Sequence, residues 1–275
     1  MEWIVDIVGP GFAQATQVDD ILVDGRSAFQ HIQVVTSRMF GRMLVLDDAV
    51  QTTEQDEYVY HEMLVHLPLV THPSPRRVLI VGGGDGGTLE EVLKHRVDQV
   101  TMVEIDRDVV DICRRFLPAI GRDAFDDPRG RLLIDDGIAF VQTTRERFDV
   151  ILVDSTDPKG PGLALFSPEF YAACARVLSE DGLLVAQSGS LLYQRDLTGV
   201  VGRHLRTAFP IVGSYWAPVP AYPGVLWSFS YGSKRHDPGR VDRESISRKL
   251  GAVQTRLYSP DAHDAALRMP VLPQI

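Results

Sequence analysis

The chain has 275 residues, of which 44% are hydrophobic and 24% are charged, and its formal net charge is −9. This length allows one large domain, or a large domain with a smaller one, and the composition is that of a globular protein with a sizeable core. The acidic balance argues against a nucleic-acid partner, because phosphate contacts need clustered Lys and Arg, and it favours a cationic ligand.

The N-terminus and the cysteines indicate the compartment. The first residues, MEWIVD, carry acids where a secretory signal would be basic, and no apolar run approaches the ~20 residues of a membrane span. Cys113 and Cys174 lack C-x-x-C spacing, so we expect buried thiols rather than a disulfide, a metal site or a nucleophile. We therefore predict a cytoplasmic protein without a membrane partner.

The first 55 residues predict a small antiparallel β-sheet domain. Short β-like runs at 21–23, 29–35 and 41–46 are separated by turn residues. From Asp56 the spacing becomes helical and is expected to end at Pro68. We predict an N-terminal β-sheet domain over 1–55 and a Rossmann-like catalytic domain over 56–275.

The stretch RVLIVGGGDGG at 77–87 predicts a buried strand, a glycine turn and the start of a helix. Gly82, Gly84 and Gly87 fit the G-x-G-x-x-G pattern of a nucleotide-binding crossover, and Glu104 follows Gly84 by twenty positions. Asp85 does not suit a dinucleotide, since its carboxylate lies where a pyrophosphate would meet the helix N-terminus. The turn therefore favours a cationic nucleoside ligand.

The rest of the chain alternates strand and helix patterns, as expected of a doubly wound, Rossmann-like parallel sheet. Strand patterns occupy 100–105, 131–134, 148–153, 182–186, 211–216 and 226–231, and helical patterns occupy 88–95, 109–116, 168–178 and 197–209. The polar tail after Lys234 is expected to lie on the surface.

Acidic residues end four consecutive strands of this predicted sheet. They are Asp85, Glu104, Asp136, and Asp154 with Asp157. The carboxyl ends of parallel strands share one crevice, so these side chains should converge. Asp after a strand also commonly caps the next helix, but four acids in series beside a glycine turn favour a binding site.

Each acid suits one part of a nucleoside cation that meets an amine. Glu104 can accept hydrogen bonds from both ribose hydroxyls, and Asp136 can accept from the exocyclic amine of adenine. Gly137 would let the ring approach the backbone, and Asp85 would face the cationic part of the ligand. Asp154 and Asp157, at the two ends of a tight turn, could bracket a second positive group.

The following segment, DPKGPGLALF at 157–166, is stiff at its prolines and free at its glycines, so it could close over the site, although a plain strand-to-helix connection has the same pattern. His61, Glu62 and His66 raise the question of a metal. The two histidines are five apart rather than the four that zinc on a helix requires, so we predict no metal site.

The motifs closely resemble those of the spermidine synthases, the polyamine aminopropyltransferase family, and Tyr60 to Met63 are most similar to bacterial members. The resemblance covers nearly the whole chain and rests on GGGDGG at 82–87, VEID at 103–106, DDG at 135–137, DSTDPKGPGLALF at 154–166, LDDAVQTTEQDEYVYHEM at 46–63, PAYPGVLWSF at 220–229 and YSPDAHDAALRMP at 258–270.

The resemblance implies transfer of the aminopropyl group of decarboxylated S-adenosylmethionine to putrescine, giving spermidine and 5′-methylthioadenosine. The nucleoside is a co-substrate, so no cofactor is expected, and a homodimer or homotetramer built partly by the N-terminal sheet is implied. By position, the nucleoside substrate would be held by Gln30, Asp85, Glu104, Asp136, Gly137 and Pro161. The amine would be held by Gln51, Tyr60, His61, Asp154, Ser155, Thr156, Asp157 and Tyr222, with Asp154 as the proton acceptor.

The sequence departs from the family pattern in two places, and the second, at the far end of the amine site, leaves the acceptor open among putrescine, cadaverine, agmatine and spermidine. Phe29 and His31 flank Gln30, and 188–190 read Ser-Gly-Ser where several relatives carry Glu. Three other functions remain possible: an S-adenosylmethionine methyltransferase on the same sheet, a nicotinamide oxidoreductase and a non-catalytic polyamine-binding protein. Asp85 disfavours the first two, since it would repel a carboxylate or a phosphate, and a sensor would not need a base such as Asp154.

Overall fold

The computed structural model describes residues 2–9, 11–157 and 160–269, and its N-terminal part is built of antiparallel strands. The strands are β1 (Glu2–Gly9), β2 (Phe12–Val18), β3 (Asp20–Arg26), β4 (His31–Ser37), β5 (Gly41–Leu46) and β6 (Ala49–Thr53). β1 and β2 form a hairpin, and β3 to β6 form a four-stranded sheet in sequence order. Asp47 and Asp48 both have positive φ in the tight turn between β5 and β6, a conformation that Asp tolerates better than most residues.

Helix α1 (Glu57–Thr71) joins this part to the larger sheet, and every residue from Val59 to Thr71 is buried. The prediction that the helix ends at Pro68 was wrong by three residues. Proline lacks only its own N–H, and the last turn is closed by the His72 N–H, which donates to the Pro68 carbonyl, and by the Thr71 hydroxyl, which donates to the Leu67 carbonyl. Pro68 cannot donate the hydrogen bond that another residue would donate at this position. Burial of the helix from Val59 onwards stabilises it enough to offset the loss of that bond.

A seven-stranded sheet forms the centre of the molecule, in the order β12-β13-β11-β10-β7-β8-β9. Its strands are β7 (Arg77–Gly82), β8 (Gln99–Glu104), β9 (Gly130–Ile134), β10 (Phe148–Asp154), β11 (Leu178–Ser190), β12 (Ile211–Pro218) and β13 (Leu226–Ser233). The five strands from β11 to β9 are parallel, which confirms the doubly wound architecture. β13 is antiparallel to both of its neighbours, so the sheet as a whole is mixed.

Helices cover both faces of this sheet. They are α2 (Gly87–Leu93), α3 (Arg107–Phe116), α4 (Pro118–Gly121), α5 (Gly137–Thr143), α6 (Pro168–Val177), α7 (Arg195–Arg206), α8 (Arg243–Leu250) and α9 (Pro260–Ala266). Alternate residues of β7 enter different cores: Val78 and Ile80 pack with α1 and α2, whereas Leu79 and Val81 pack with α5, α6 and α7. In the described part of the chain, no helix is long and apolar enough to cross a membrane.

The C-terminal segment lies largely on the surface, since most of its described residues after Lys234 are exposed or half-buried, but a few side chains anchor it in the core. Ile246, Tyr258 and His263 are each no more than 1% exposed. The Glu62 carboxylate, itself 1% exposed, accepts hydrogen bonds from three successive backbone N–H groups at 256–258, at 2.6, 2.8 and 2.7 Å. A buried acid on α1 therefore anchors a segment that is polar in composition.

We expect Glu62→Ala to destabilise the protein, because it leaves three backbone donors without their acceptor. At about 1 kcal/mol or more for each donor, the free energy of unfolding should fall by on the order of 3 kcal/mol in urea titration. Hydrogen exchange should accelerate first at 255–263. The control is Glu244→Ala at an exposed position of α8, which should stay within about 0.5 kcal/mol of wild type. Equal stabilities of the two variants would contradict the anchoring role.

Candidate functional site

The carboxyl ends of β7, β8, β9 and β10 open onto a cavity of about 260 Å³. The cavity lies where the strand order reverses between β7 and β10, the usual ligand position in an open α/β sheet. The acids that end these strands, predicted to converge, all line it. So do the other residues assigned to the site from the sequence, namely Gln30, Gln51, Tyr60, His61, Gly137, Ser155, Thr156 and Tyr222. The exception is Pro161, whose side chain lies outside the described part of the chain.

The glycine turn lets the ends of β7 and β10 meet. Gly82 has a φ of 88°, and a Cβ there would overlap the carbonyl oxygen of Asp154. The Gly83 N–H donates to that oxygen at 2.9 Å. Positive φ and the absence of side chains are thus required at this point, and they bring Asp154 beside the turn that carries Asp85.

Asp154 accepts a hydrogen bond on each carboxylate oxygen. The Tyr60 hydroxyl donates to Oδ1 at 2.8 Å, and the Thr88 hydroxyl donates to Oδ2 at 2.7 Å. Burial and the neighbouring Asp85 raise the pKa of Asp154, although both donors and His61 act in the opposite direction. Asp154 is therefore a fixed carboxylate with a greater proton affinity than an exposed aspartate.

His61 lies between two carboxylates. Its Nδ1 is 2.9 Å from Glu57 Oε2, and its Nε2 is 3.4 Å from Asp85 Oδ2. Burial opposes protonation of His61, but Asp85 and Glu57 outweigh it and raise its pKa well above the ordinary value. Burial likewise opposes ionisation of Asp85, but His61 outweighs it and lowers the pKa of Asp85. At neutral pH, an imidazolium thus partly neutralises the acids at this end of the cavity.

The residues considered as metal ligands separate in the structure. His66 Nδ1 is 2.9 Å from His95 Nε2, and Glu62 holds the C-terminal segment, so neither lies with His61. His61 instead has a potential ligand atom within 4.8 Å of those of Asp85 and Asp154. Since each of these side chains already has a hydrogen-bond or ion-pair partner, the cluster suits an ammonium group, which can share these acceptors, at least as well as a metal.

Glu104 ends β8, lines the cavity beside the glycine turn and is 8% exposed. Burial raises its pKa to about 7, although the Asp106 N–H donates to Oε1 at 2.9 Å. Asp106, to which the sequence analysis gave no role, caps α3 and also accepts from the Gln30 amide at 2.9 Å and the Ser27 hydroxyl at 2.6 Å. These bonds connect the loop before β4 of the N-terminal sheet to the cavity. The sequence feature that could have identified Asp106 is its position as a helix cap two residues after Glu104, at the end of a strand that forms the site.

Asp136 caps a helix and also lines the cavity, so its capping role does not conflict with the predicted binding role. Its Oδ1 accepts from the N–H groups of Ile138 and Ala139 and caps α5, while the residue lines the cavity. A Cβ at Gly137 would lie 2.5 Å from a methyl carbon of Val81. Glycine is therefore required there for packing of α5 on the sheet, whatever it contributes to a ligand.

Two glutamines that were not assigned to the site brace the turn from Asp154 to Asp157. The Gln187 amide donates to the carbonyls of Ser155 and Thr156 at 3.1 and 3.2 Å. The Gln194 amide donates to Asp157 Oδ2 at 2.9 Å. Both lie far from the turn in sequence, and only the fold reveals the contacts.

A smaller cavity of about 40 Å³ continues from this end of the site. It is lined by Asp6, Gln51, Tyr60, Ser155, Asp157, Gln187, Gln194, Tyr222 and Trp227, among others. The Tyr222 hydroxyl donates to the Gln51 carbonyl, and its ring contacts those of Tyr60 and Trp227 edge-on at 5.7 and 4.6 Å between centroids. The site is thus an elongated, aromatic-walled channel with carboxylates along it.

The segment predicted to close over the site is described only in part. Pro158 and Lys159 lie outside the described residues, Gly160–Phe166 forms a 3₁₀ helix, and Gly162 and Leu165 line the cavity. Closure of this segment stays a prediction.

Comparisons with known proteins are consistent across the whole chain. The family model described as "Spermine/spermidine synthase domain" matches residues 57–243, and "Spermidine synthase tetramerisation domain" matches residues 2–54. A polyamine aminopropyltransferase of Desulforudis audaxviator is 46% identical over 98% of this chain and 96% of its own length. Polyamine aminopropyltransferase 1 of Pseudomonas aeruginosa is 45% identical over 94% and 92%.

Two solved structures of spermidine synthases are similar to this chain over nearly its whole length. A crystal structure of a spermidine synthase in complex with the transition state analogue AdoDATO has a TM-score of 0.93 and 36% identity, and covers 98% of this chain and 92% of its own. A spermidine synthase of Thermotoga maritima has a TM-score of 0.90 and 34% identity, with 98% and 91% covered.

The raised pKa of Glu104 should make the stability of the ligand-free protein depend on pH. Its folded pKa of about 7 lies above the ordinary 4.5, so the stability it contributes is fully present below pH 4.5 and is lost as the pH rises through 7. Glu104→Gln removes this loss of stability at high pH, because glutamine cannot ionise. We expect the variant to gain stability over wild type by up to about 3 kcal/mol between about pH 5 and about pH 8.

Urea titrations of both proteins at the two pH values measure this gain directly. Asp111→Asn, at an exposed position of α3, serves as the control and should show no such pH-dependent difference. If the difference in free energy of unfolding between Glu104→Gln and wild type were the same at both pH values, this would contradict the raised pKa of Glu104.

Proposed function

The chain belongs to the spermine/spermidine synthase family and is a polyamine aminopropyltransferase, and on that premise we propose its substrates, its products and the roles of its site residues. The protein transfers the aminopropyl group of decarboxylated S-adenosylmethionine to putrescine and releases spermidine and 5′-methylthioadenosine. The observation that carries this proposal is the convergence of five carboxylates on one cavity beside a glycine turn. Such a cavity suits one cationic nucleoside and one cationic amine.

The donor nucleoside lies along the ends of β7, β8 and β9. Glu104 accepts hydrogen bonds from the ribose hydroxyls, and Asp136 accepts from the adenine amine, with Gly137 and Gln30 beside them. Pro161, the remaining residue carried over from the family, would contact the nucleoside from the 3₁₀ segment. Binding two hydroxyl donors stabilises ionised Glu104, so the buried carboxyl gains its hydrogen-bond partners from the substrate.

Asp85 faces the ammonium group of the donor's aminopropyl chain. In the absence of ligand, the imidazolium of His61 is its positive partner at 3.4 Å. A donor that carries an ammonium and no carboxylate satisfies Asp85 directly. Intact S-adenosylmethionine would bring a carboxylate towards it, which weighs against the methyltransferase alternative.

The acceptor amine approaches from the channel lined by Tyr60, Tyr222 and Asp157. An alkylammonium has a pKa of about 10 on the lysine model, so the amine arrives protonated and must lose a proton before it can attack. Asp154 accepts this proton, and the amine nitrogen forms a bond to the methylene carbon next to the sulfonium. The carbon–sulfur bond breaks, its electron pair stays on sulfur, and the thioether leaves uncharged.

This chemistry needs no resident cofactor or metal, because the positive sulfur of the co-substrate already makes a good leaving group. The residues act by alignment, proton transfer and exclusion of water. Asp157, held by Gln194, orients the amine, and the backbone at Ser155 and Thr156 completes that side.

A diamine fits the far end of the channel best. Asp157 and Asp6 both line the smaller cavity, and the second ammonium of a diamine needs an acidic environment at that distance. Among diamines, putrescine is the proposed acceptor because the resemblance to the spermidine synthases implies it. Cadaverine, agmatine and spermidine would react by the same chemistry and are the alternatives to be assayed.

We propose a homodimer or homotetramer formed through the N-terminal strands. Trp3, Val5 and Ile7 alternate along β1 and are 53%, 44% and 68% exposed, so they form an apolar stripe on one face of the hairpin. The family's name for this domain supports the same assignment. The acidic net charge argues against a nucleic-acid partner, and we propose a cytoplasmic protein without a membrane partner.

Asp154→Asn should abolish most turnover while nucleoside binding survives, since the change removes the base but keeps the shape. Loss of a general base predicts a fall in kcat of about a hundredfold or more. The assay follows methylthioadenosine and the aminopropylated product with decarboxylated S-adenosylmethionine and each of the four amines. Asp111→Asn is the matched control and should retain wild-type kcat. A kcat for Asp154→Asn of at least half the wild-type value would reject Asp154 as proton acceptor.

A further inference from the structure

The buried hydroxyl of Thr88 has no assigned role in the reaction, yet it contacts the proposed base. Thr88 is 0% exposed and lies in the first turn of α2. Its Oγ1 donates to Asp154 Oδ2 at 2.7 Å, the shorter of the two side-chain hydrogen bonds to that carboxylate. Threonine is a poor choice for a helix on propensity alone, so a specific contact gives it a reason to be there.

We propose that Thr88 is a positioning residue for the aminopropyl transfer, and that its hydroxyl fixes Asp154 so that Oδ1, beside Tyr60, receives the proton of the acceptor amine. This inference rests on the proposed role of Asp154 as proton acceptor. It adds that Thr88 orients the carboxylate of Asp154 and thereby determines which of its two oxygens accepts the proton.

The surroundings of the two oxygens differ, and this supports the choice of Oδ1. Oδ2 is enclosed: a Cβ built on Gly83 would lie 3.1 Å from it, and Thr88 occupies it from the helix. Oδ1 is contacted by Tyr60, which lines both the main cavity and the smaller one through which the amine would enter. An amine that approaches along this channel therefore meets Oδ1 first.

The position of Thr88 is itself tightly determined. A Cβ on the preceding residue, Gly87, would overlap the ring of His61, so α2 begins in direct contact with α1. Gly86, with a φ of 86°, sets the direction in which the helix starts. Thr88 is thus placed beside Asp154 by the same glycine turn that brings the ends of β7 and β10 together.

The charge balance around Asp154 explains why a second donor matters. The titratable groups that act on it or are acted on by it are Tyr60 and His61 from α1, Asp85 from the glycine turn, Glu104 from β8 and Tyr222 from the loop before β13. Burial and Asp85 favour the protonated acid, which cannot act as a base. A hydroxyl donor favours the carboxylate, so the hydrogen bond from Thr88 acts against burial and Asp85, which raise the pKa of Asp154, and it lowers that pKa.

The test compares Thr88→Val, which keeps the shape and removes the hydroxyl, with Thr88→Ser, which keeps the hydroxyl. kcat is measured against pH with both substrates saturating, so that the acid limb reports groups in the ternary complex. In Thr88→Val the carboxylate of Asp154 loses a hydrogen-bond donor, so its pKa should rise. We expect the acid limb to move to higher pH by about one unit, which corresponds to the free energy of one hydrogen bond to a charged group. At its plateau, kcat should fall by about tenfold, while the donor KM and the methylthioadenosine affinity stay within about twofold. Thr88→Ser should restore the wild-type limb.

Several results would overturn the proposal, and Asp154→Asn assayed in parallel separates them from failure of the mechanism. If Asp154→Asn is inactive and Thr88→Val keeps the wild-type acid limb, Thr88 does not position the base, and the mechanism stands. If Thr88→Ser is as impaired as Thr88→Val, the methyl packing rather than the hydroxyl is what matters. If Asp154→Asn is active, both the mechanism and the role of Thr88 are wrong. Should Thr88→Val fail to bind methylthioadenosine, Thr88→Ala takes its place under the same criteria.

Discussion

Two carboxylates held close together in a buried site impose the main constraint on this structure. Potential ligand atoms of Asp85 and Asp154 lie within 4.8 Å of each other, and at an effective dielectric constant of ~20 two full charges at that distance repel by about 3 kcal/mol. The protein reduces this cost without removing it. His61 supplies a positive charge to Asp85, and Tyr60 and Thr88 supply donors to Asp154. In the proposed function, the remaining negative potential attracts the two cationic substrates.

Much of the fold maintains that arrangement. The glycine turn allows β7 and β10 to end side by side, α1 brings Tyr60 and His61 to the cavity, and the C-terminal segment holds α1 through Glu62. The N-terminal sheet is joined to the same region because Asp106 accepts from Gln30. Loss of Glu62, which does not itself line the cavity, can therefore reach the site through the position of α1.

The sequence predicted the architecture and most of the site because both follow from short-range patterns. Alternating strands and helices place the ends of parallel strands on one edge, so the convergence of Asp85, Glu104 and Asp154 required no knowledge of packing. Polar contacts between distant segments are different. Nothing local indicates that Thr88 donates to Asp154 or that Gln194 holds Asp157, since 66 and 37 positions separate the partners. The same limit applies to the C-terminal segment, because its few buried anchor residues lie among polar residues and no local pattern marks them.

The central claim is that Asp85 selects a donor with an ammonium and no carboxylate, and calorimetric titration of the two donors measures this directly. Wild type should bind decarboxylated S-adenosylmethionine about a hundredfold more tightly than S-adenosylmethionine, the factor that corresponds to a repulsion of about 3 kcal/mol. Asp85→Asn should weaken binding of the decarboxylated donor and relax the preference. Equal affinities of wild type for the two donors would contradict the account and return the methyltransferase alternative to consideration.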